Sequence, residues 1–316
     1  MQGLLSAGRE GGARLLLALF LQLQLSASTC PCQDPSLCNP ISGSKDFEVF
    51  VFDVGGKTWK FYDWSQITTV ATFGKYDPEL MCYAHSKGAR VVLKGDVSVK
   101  EIVDPFVRAA WIGQQIDLAK KQYMDGINID IEQEVNKSSA EYYALTALVK
   151  ETTEAFHKEI PGSQVTFDVA WSPECIDKRC YNYSGIADSC DFVFVMSYDE
   201  QSQVWTECIA GANAPYNQTL AGYDDYLDLG INPKKLVMGV PWYGYDYTCL
   251  HLSMDSHNAS HQVWFDNPRS ISLKAAYVKE HGLRGIGMWN GNCLDYSGGS
   301  VARKQTEAMW EALKPK

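Results

Sequence analysis

The sequence predicts a single-domain α/β fold, a (β/α)8 barrel, and three observations predict it. Eight short runs rich in Val, Ile, Phe and Tyr recur along the chain. Most are separated by amphipathic stretches, the alternation expected of βα units around a buried parallel sheet. Once an N-terminal leader is set aside, about 288 of the 316 residues remain, comfortable for one barrel of ~250 residues. Several of the runs also close on Asp, Glu or Asn, and in such a barrel the catalytic groups stand at the carboxyl ends of the strands.

The leader spans residues 1–28. Arg9 and Arg14 precede an apolar run from Leu15 to Leu25, and Ser26 and Ser28 supply small residues for cleavage, the pattern of a secretory signal peptide. Its apolar core is well short of the ~20 residues a spanning helix needs. The barrel is therefore expected over residues 29–316, free of the membrane once the signal is removed.

The first strand is expected at Phe47–Val54 and the second at Ile67–Gly74, with no helical period in Gly55–Gln66 between them. The third is Ala89–Asp96, followed by a helix over Trp111–Met124. The fourth strand, Gly126–Glu132, leads to a helix over Ser138–Lys158, then come the fifth and sixth strands at Gln164–Trp171 and Asp191–Tyr198. A helix over Leu220–Leu229 precedes the seventh strand, Lys235–Tyr243, and one over Ile271–His281 precedes the eighth, Arg284–Trp289. Val301–Leu313 closes the chain as a helix, each of these segments carrying apolar residues at helical spacing. Asp53, Asp96, Glu132, Asp199 and Asn290 all fall at or just past strand ends, so an acidic, polar pocket is expected on that rim.

A net charge of −10 and a pI near 5.1 exclude a nucleic-acid partner, whose phosphates demand a basic surface. They suit a neutral sugar and an acidic compartment. All ten cysteines lie beyond the leader, and an even count on the secretory route favours disulfides whose pairing the sequence leaves open. Cys30, Cys32 and Cys38 lack a fourth ligand at zinc spacing, so no metal site is expected. Sequons at Asn136, Asn182, Asn217 and Asn258 are candidate N-glycosylation sites.

The chemistry concentrates in Asp125-Gly126-Ile127-Asn128-Ile129-Asp130-Ile131-Glu132. Period two puts Asn128, Asp130 and Glu132 on one face of a strand. The isoleucines must meet the helices, so the polar row points into the barrel. Burying carboxylates in a row is costly unless a function uses them. The use is acid catalysis: Asp130 beside Glu132 raises the Glu132 pKa by like-charge repulsion, keeping a proton available for a glycosidic oxygen.

This row resembles the signature of glycoside hydrolase family 18, in which spaced Asp or Asn residues end in the catalytic Glu. Met196-Ser197-Tyr198-Asp199 resembles a second family motif, and Gly287-Met288-Trp289 the position of a third. The resemblance, running through Phe47–Lys314, implies a cofactor-free retaining glycosidase acting on β-linked N-acetylglucosamine oligosaccharides. Within the family the chain most resembles lysosomal members that act on the chitobiose core of degraded glycoproteins. It implies Glu132 as acid, Asp130 and Tyr198 around the substrate acetamide, and Trp289 under the sugar, with Asn128, Met196 and Asp199 also binding substrate. A lysosomal monomer is expected. An extracellular location, an endo-acting chitinase and a chitinase-like carbohydrate-binding protein are the alternatives.

Two departures stand out. Asn128 occupies a position where many relatives carry Asp, which leaves Asp130 and Glu132 as a proton-sharing pair. Gln133 replaces an aromatic usual in chitinases. Many relatives also carry a lobe between strands seven and eight, whereas here only the polar stretch Thr248–Gln262 separates Tyr243–Tyr247 from Val263-Trp264-Phe265. That lobe is expected to be reduced or absent, with weaker activity and Cys249 unpaired as consequences.

Overall fold

The computed structural model describes residues 29–43, 45–201, 209–254 and 258–315. The leader expected over residues 1–28 lies outside the described residues.

Eight parallel strands close a barrel. In chain order they are β1 (Glu48–Asp53), β2 (Thr69–Thr72), β3 (Arg90–Gly95), β4 (Gly126–Ile129), β5 (Gln164–Ala170), β6 (Phe192–Met196), β7 (Leu236–Pro241) and, after an inserted antiparallel pair β8 (Gly244–Met254) and β9 (Asn258–Phe265), β10 (Gly285–Trp289). β1 pairs with both β2 and β10, bringing Phe50 opposite Thr69 on one side and Gly287 on the other. Every expected strand is present, trimmed at its ends.

Around the sheet run α1 (Pro78–Ser86), α2 (Pro105–Gln122), α3 (Ala140–Glu159), α4 (Tyr183–Ser189), α5 (Tyr216–Asp228), α6 (Pro268–Glu280) and α7 (Ser300–Ala312). Three begin with the same device. Asp77, Asp104 and Asn267 accept from backbone amides of the first turn while Pro78, Pro105 and Pro268 fill the first helical position, where a missing N–H costs nothing. The connection Gly55–Gln66 contains only the short 3-10 turn Thr58–Phe61, as its lack of helical period implies. Helices α1 and α4 were not expected; at 9 and 7 residues they are too short to display a period.

The core has two layers. Between sheet and helices pack aliphatic residues such as Ile127, Ile129, Ile131 and Val165. Inside the barrel stand Phe50, Phe52, Phe192, Phe194 and Val237. Phe192 meets Phe50 at 5.8 Å, Phe50 meets Phe52 at 5.2 Å and Phe52 meets Trp289 at 5.3 Å between centroids. This edge-to-face ladder fills the barrel and carries Trp289 up to its rim.

Between the seventh and eighth barrel strands the lobe is reduced, as expected. Thr248–Gln262 is not a bare polar loop, because β8 and β9 pair through it, with Thr248 opposite His261 and Tyr245 opposite Trp264. The β-forming residues flanking the polar stretch zip it into a hairpin, so the lobe is reduced to two strands. The cysteines form Cys30–Cys38, Cys32–Cys82 and Cys175–Cys180, so the three N-terminal ones spend their sulfurs on disulfides rather than on a metal. Cys190 is a buried thiol and Cys293 an exposed one; Cys208 and the side chain of Cys249 lie outside the described residues.

Candidate active site

Strand β4 enters through a glycine for a physical reason. Gly126 sits at φ +150°, and a Cβ there would lie 1.8 Å from the Gln164 carbonyl oxygen. Without that side chain β4 lies flush on β5. Ile127, Ile129 and Ile131 are then fully buried on the outer side, and Asn128 is fully buried inside. The regular strand ends at Ile129 rather than Glu132. One more ladder bond, Asp130 N to Gly95 O at 2.8 Å, carries the extended chain outward. The row is therefore graded: Asn128 is enclosed, Asp130 is half-buried and Glu132 reaches the solvent rim with its side chain 53% exposed.

Each outer carboxylate faces a cation. Lys94 Nζ stands 3.1 Å from Asp130, and Arg179 Nη1 stands 2.8 Å from Glu132 Oε2. Below them Asn128 donates its amide to Asp168 Oδ1 at 2.7 Å and to the Thr166 hydroxyl at 2.9 Å. This modifies the sequence expectation of an isolated Asp130–Glu132 pair. A third carboxylate, Asp168 from β5, completes the row, and Glu132 is hydrogen-bonded to Arg179.

Burial, followed by the charge of Asp130, raises the Glu132 pKa, while Arg179 and Lys94 pull it back. Burial also raises Asp130 against the lowering pull of Lys94. Burial first, and Asp130 next, push the enclosed Asp168 well above the carboxylate range. The sum favours the protonated forms of all three carboxyls relative to free carboxylic acids.

The backbone flanking Glu132 is clamped. The Tyr181 hydroxyl donates to Ile131 O at 3.0 Å and Gln133 O at 2.7 Å. Val135 N bonds Lys178 O and Cys180 N bonds Val135 O, which lays the loop closed by Cys175–Cys180 alongside and aims Arg179 at the acid. Gln133 turns to the β3 side, accepting from Val99 N and donating to Val97 O.

At the end of β6, Tyr198 is buried with its ring 6.1 Å from Tyr243. Burial, then Asp168, Tyr243, Glu132 and Asp130, raise its pKa well above the usual phenol value, which places the hydroxyl in the field of the carboxylate row. Met196 and Trp289 pack half-buried on the inner aromatic core. Asp199, in left-handed backbone at φ 54°, donates its amide to Asn213 Oδ1 at 2.6 Å and accepts hydroxyls from Tyr243 and Tyr245, tying the hairpin to the rim.

Not every rim acid joins the pocket. Asp53 is buried and spent on the Tyr62 hydroxyl and Gly55 N, Asn290 caps the turn Gly291–Cys293, and Asp96 is exposed. Sequence reasoning missed Lys94, Asp168, Arg179 and Tyr181. A lysine and an aspartate inside apolar strand runs, Val91-Val92-Leu93-Lys94 and Phe167-Asp168-Val169, were a signal for the first two. Nothing local marked the others.

A (β/α)8 barrel whose strand ends gather three carboxylates, a buried tyrosine and a tryptophan is the architecture of a glycoside hydrolase. The chain matches glycosyl hydrolases family 18 over residues 51–292, and it belongs to that family and is a glycosidase. It is 65% identical to di-N-acetylchitobiase of Mus musculus over 355 aligned positions, covering 95% of this chain and 97% of the relative. It is 64% identical to that of Homo sapiens, covering 98% and 95%. Since 95% of 316 residues is about 300, some 55 of the 355 positions aligned with the mouse protein have no counterpart here. Among solved structures, a class V chitinase from Nicotiana tobaccum in complex with NAG4 superposes with a TM-score of 0.67 at 17% identity, over 83% of this chain and 98% of that one. A Group IV chitinase from Ostrinia furnacalis in complex with allosamidin gives 0.67 at 17%, over 85% and 98%. These last two likenesses concern the fold.

Proposed function

We propose that the chain hydrolyses the β-1,4 bond of di-N-acetylchitobiose, from the reducing end of the chitobiose core of asparagine-linked glycans, by retaining, substrate-assisted catalysis. The observation that carries this reading is the graded row Asn128, Asp130, Glu132, with the outermost carboxyl at the open rim and its pKa raised. Glu132 donates its proton to the leaving glycosidic oxygen. No carboxylate nucleophile is required. The substrate's own acetamido oxygen attacks the anomeric carbon, and water then opens the oxazolinium ion with Glu132 acting as base. Asp130 orients the acetamide N–H, Tyr198 donates to its oxygen and Trp289 stacks beneath the ring. Asn128 holds the inner acid, and Met196 and Asp199 line the sugar site. The names of the mouse and human relatives support the substrate.

The leader over residues 1–28 is assigned as a signal peptide and residues 29–316 as the mature barrel. Asn136 and Asn217 are exposed sequons, whereas Asn182 caps α4 through its side-chain oxygen; with Asn258 they are the proposed glycosylation sites. The leader and the sequons support entry to the secretory pathway; the lysosome as destination and a monomeric state are part of the same proposal. Among the described residues no helix is long and apolar enough to cross a membrane. Incubating the purified chain with di-N-acetylchitobiose and with N-acetylchitotriose, and separating the products, tests the reading. Release of free N-acetylglucosamine from both is expected. Cleavage confined to longer oligomers, leaving the disaccharide intact, would overturn it.

A further inference from the structure

Strand β3 carries a charge on its inner face. Val91 and Leu93 pack outward against the helices while Val92 joins the inner aromatic core, so the two-residue period of a strand puts Lys94 on the inner face with Val92. Lys94 pairs in register with Asn128 of β4, at the root of the acidic row. A lysine there needs a reason, because ordering its long side chain costs entropy and a solvated ion pair returns little. Its side chain is 39% exposed, so the ammonium is reached from the open rim.

Two partners hold that ammonium. Nζ stands 3.1 Å from Asp130 Oδ2 and 4.8 Å from the centroid of the Phe73 ring, a cation–π approach. Phe73 in turn meets Trp289 at 5.4 Å and Phe52 at 4.9 Å between centroids, which ties the lysine to the aromatic floor of the pocket. Among the described residues Asp130 is the one carboxylate paired with Lys94. The other cation of the site is divided, Arg179 lying 2.8 Å from Glu132 and 3.3 Å from Asp177. Asp168 takes the amide of Asn128 instead.

The reaction proposed above, on which this inference rests, needs neighbouring carboxyls in opposite states. Glu132 must carry a proton for the leaving oxygen, and Asp130 must be an anion to accept the acetamide N–H. Burial alone favours the neutral form of each and does not choose between them. From the placement of the ammonium we propose that Lys94 is a positioning residue of the reaction, fixing the Asp130 carboxylate and making it the first of the row to ionise while the proton stays on Glu132. The groups that face Asp130 are Lys94 and Asp96 at the end of β3, Glu132 beyond β4, Asp168 of β5, Arg179 of the following loop and Tyr198 beyond β6. Burial opposes ionisation of Asp130 most; Lys94 favours it through hydrogen bond and charge, Asp96 opposes it, and Arg179 favours it more weakly.

The test compares wild type, Lys94→Met and Lys94→Arg in the full chain. Methionine keeps the stem against Phe73 and removes the charge; Lys94→Gln replaces it should that variant fail to fold. The first measurement is the pH profile of N-acetylglucosamine release from chitobiose. Activity falls as pH drops through the Asp130 pKa, and an adjacent opposite charge lowers a carboxyl by roughly one to three pH units. The acid limb of kcat/KM should therefore move up by about one unit or more in Lys94→Met, whereas Lys94→Arg should keep the wild-type limb. A packing role alone would leave the limb in place. The second measurement does not need the reaction: a carbon-13 NMR titration of the aspartate carboxyls, with Asp130→Asn identifying the Asp130 signal, should show the same upward move. An Asp130 titration unchanged in Lys94→Met overturns the proposal, as does an acid limb that stays in place or moves equally in Lys94→Arg. Wild type that leaves chitobiose intact would sink the reaction instead, and the carboxyl titration would still decide whether Lys94 holds Asp130 ionised.

Discussion

Replacing Glu132 by Gln separates chemistry from stability more cleanly than any other substitution at this site. The amide has the same shape, and its carbonyl oxygen can still accept from Arg179 Nη1, now 2.8 Å from Oε2. The ion pair is lost, but the Glu132 side chain is 53% exposed, and pairs of that kind contribute about 0–1 kcal/mol. Arg179 keeps Asp177 at 3.3 Å, so the guanidinium is not stranded. The melting temperature should fall by no more than about 4 °C. Turnover should respond on another scale, because loss of a general acid costs roughly 10²–10⁴ in rate, or about 3–5 kcal/mol in the barrier at ~1.4 kcal/mol per tenfold. Release of N-acetylglucosamine at saturating chitobiose, beside a melting curve on the same preparation, reads both. A variant retaining more than a tenth of wild-type turnover would refute the acid assignment. One that lost turnover together with a cooperative melt would show a structural role instead.

Further expectations follow from the same geometry. Arg179→Gln removes a cation that lowers the Glu132 pKa, so Glu132 should stay protonated to higher pH and the alkaline limb of kcat/KM should move up; a limb moving down would contradict the pairing. Burial raises Asp168 well above the usual range, so the unfolded chain loses that proton at lower pH than the folded one. The burial of Asp168 therefore costs stability increasingly from about pH 4 upward. Asp168→Asn should gain melting temperature relative to wild type between pH 4 and 7, and a constant difference across that window would count against it. Grafting a family lobe between Thr248 and Gln262 should lower KM for chitobiose and raise turnover, because a wall positions substrate and excludes water. Unchanged kinetics would mean the hairpin suffices.

The barrel was legible because its strands are buried on both faces and read as runs of β-branched and aromatic residues. The row Asn128, Asp130, Glu132 was legible for a related reason: polar residues alternating with three isoleucines admit one orientation. What escaped was brought together by distant chain. Arg179 reaches Glu132 from 47 residues away on a loop shaped by Cys175–Cys180, and Asp168 reaches Asn128 from 40 residues away across β4 and β5. Tyr181 clamps backbone carbonyls, and no pattern of side chains announces such a role. The hairpin β8–β9 escaped because its polar centre carries no alternation; its pairing is set by the tyrosines and aromatics at either end.

In the proposed mechanism the substrate supplies its own nucleophile to a site built around one acid. Its most direct test compares di-N-acetylchitobiose with the same disaccharide lacking the N-acetyl carbonyl on the non-reducing sugar, following the first-formed anomer by NMR. The natural substrate should give β product, and the analogue should be cleaved at least about a thousandfold more slowly, since the intramolecular attack is lost. Comparable rates for the two, or α product from the first, would contradict it.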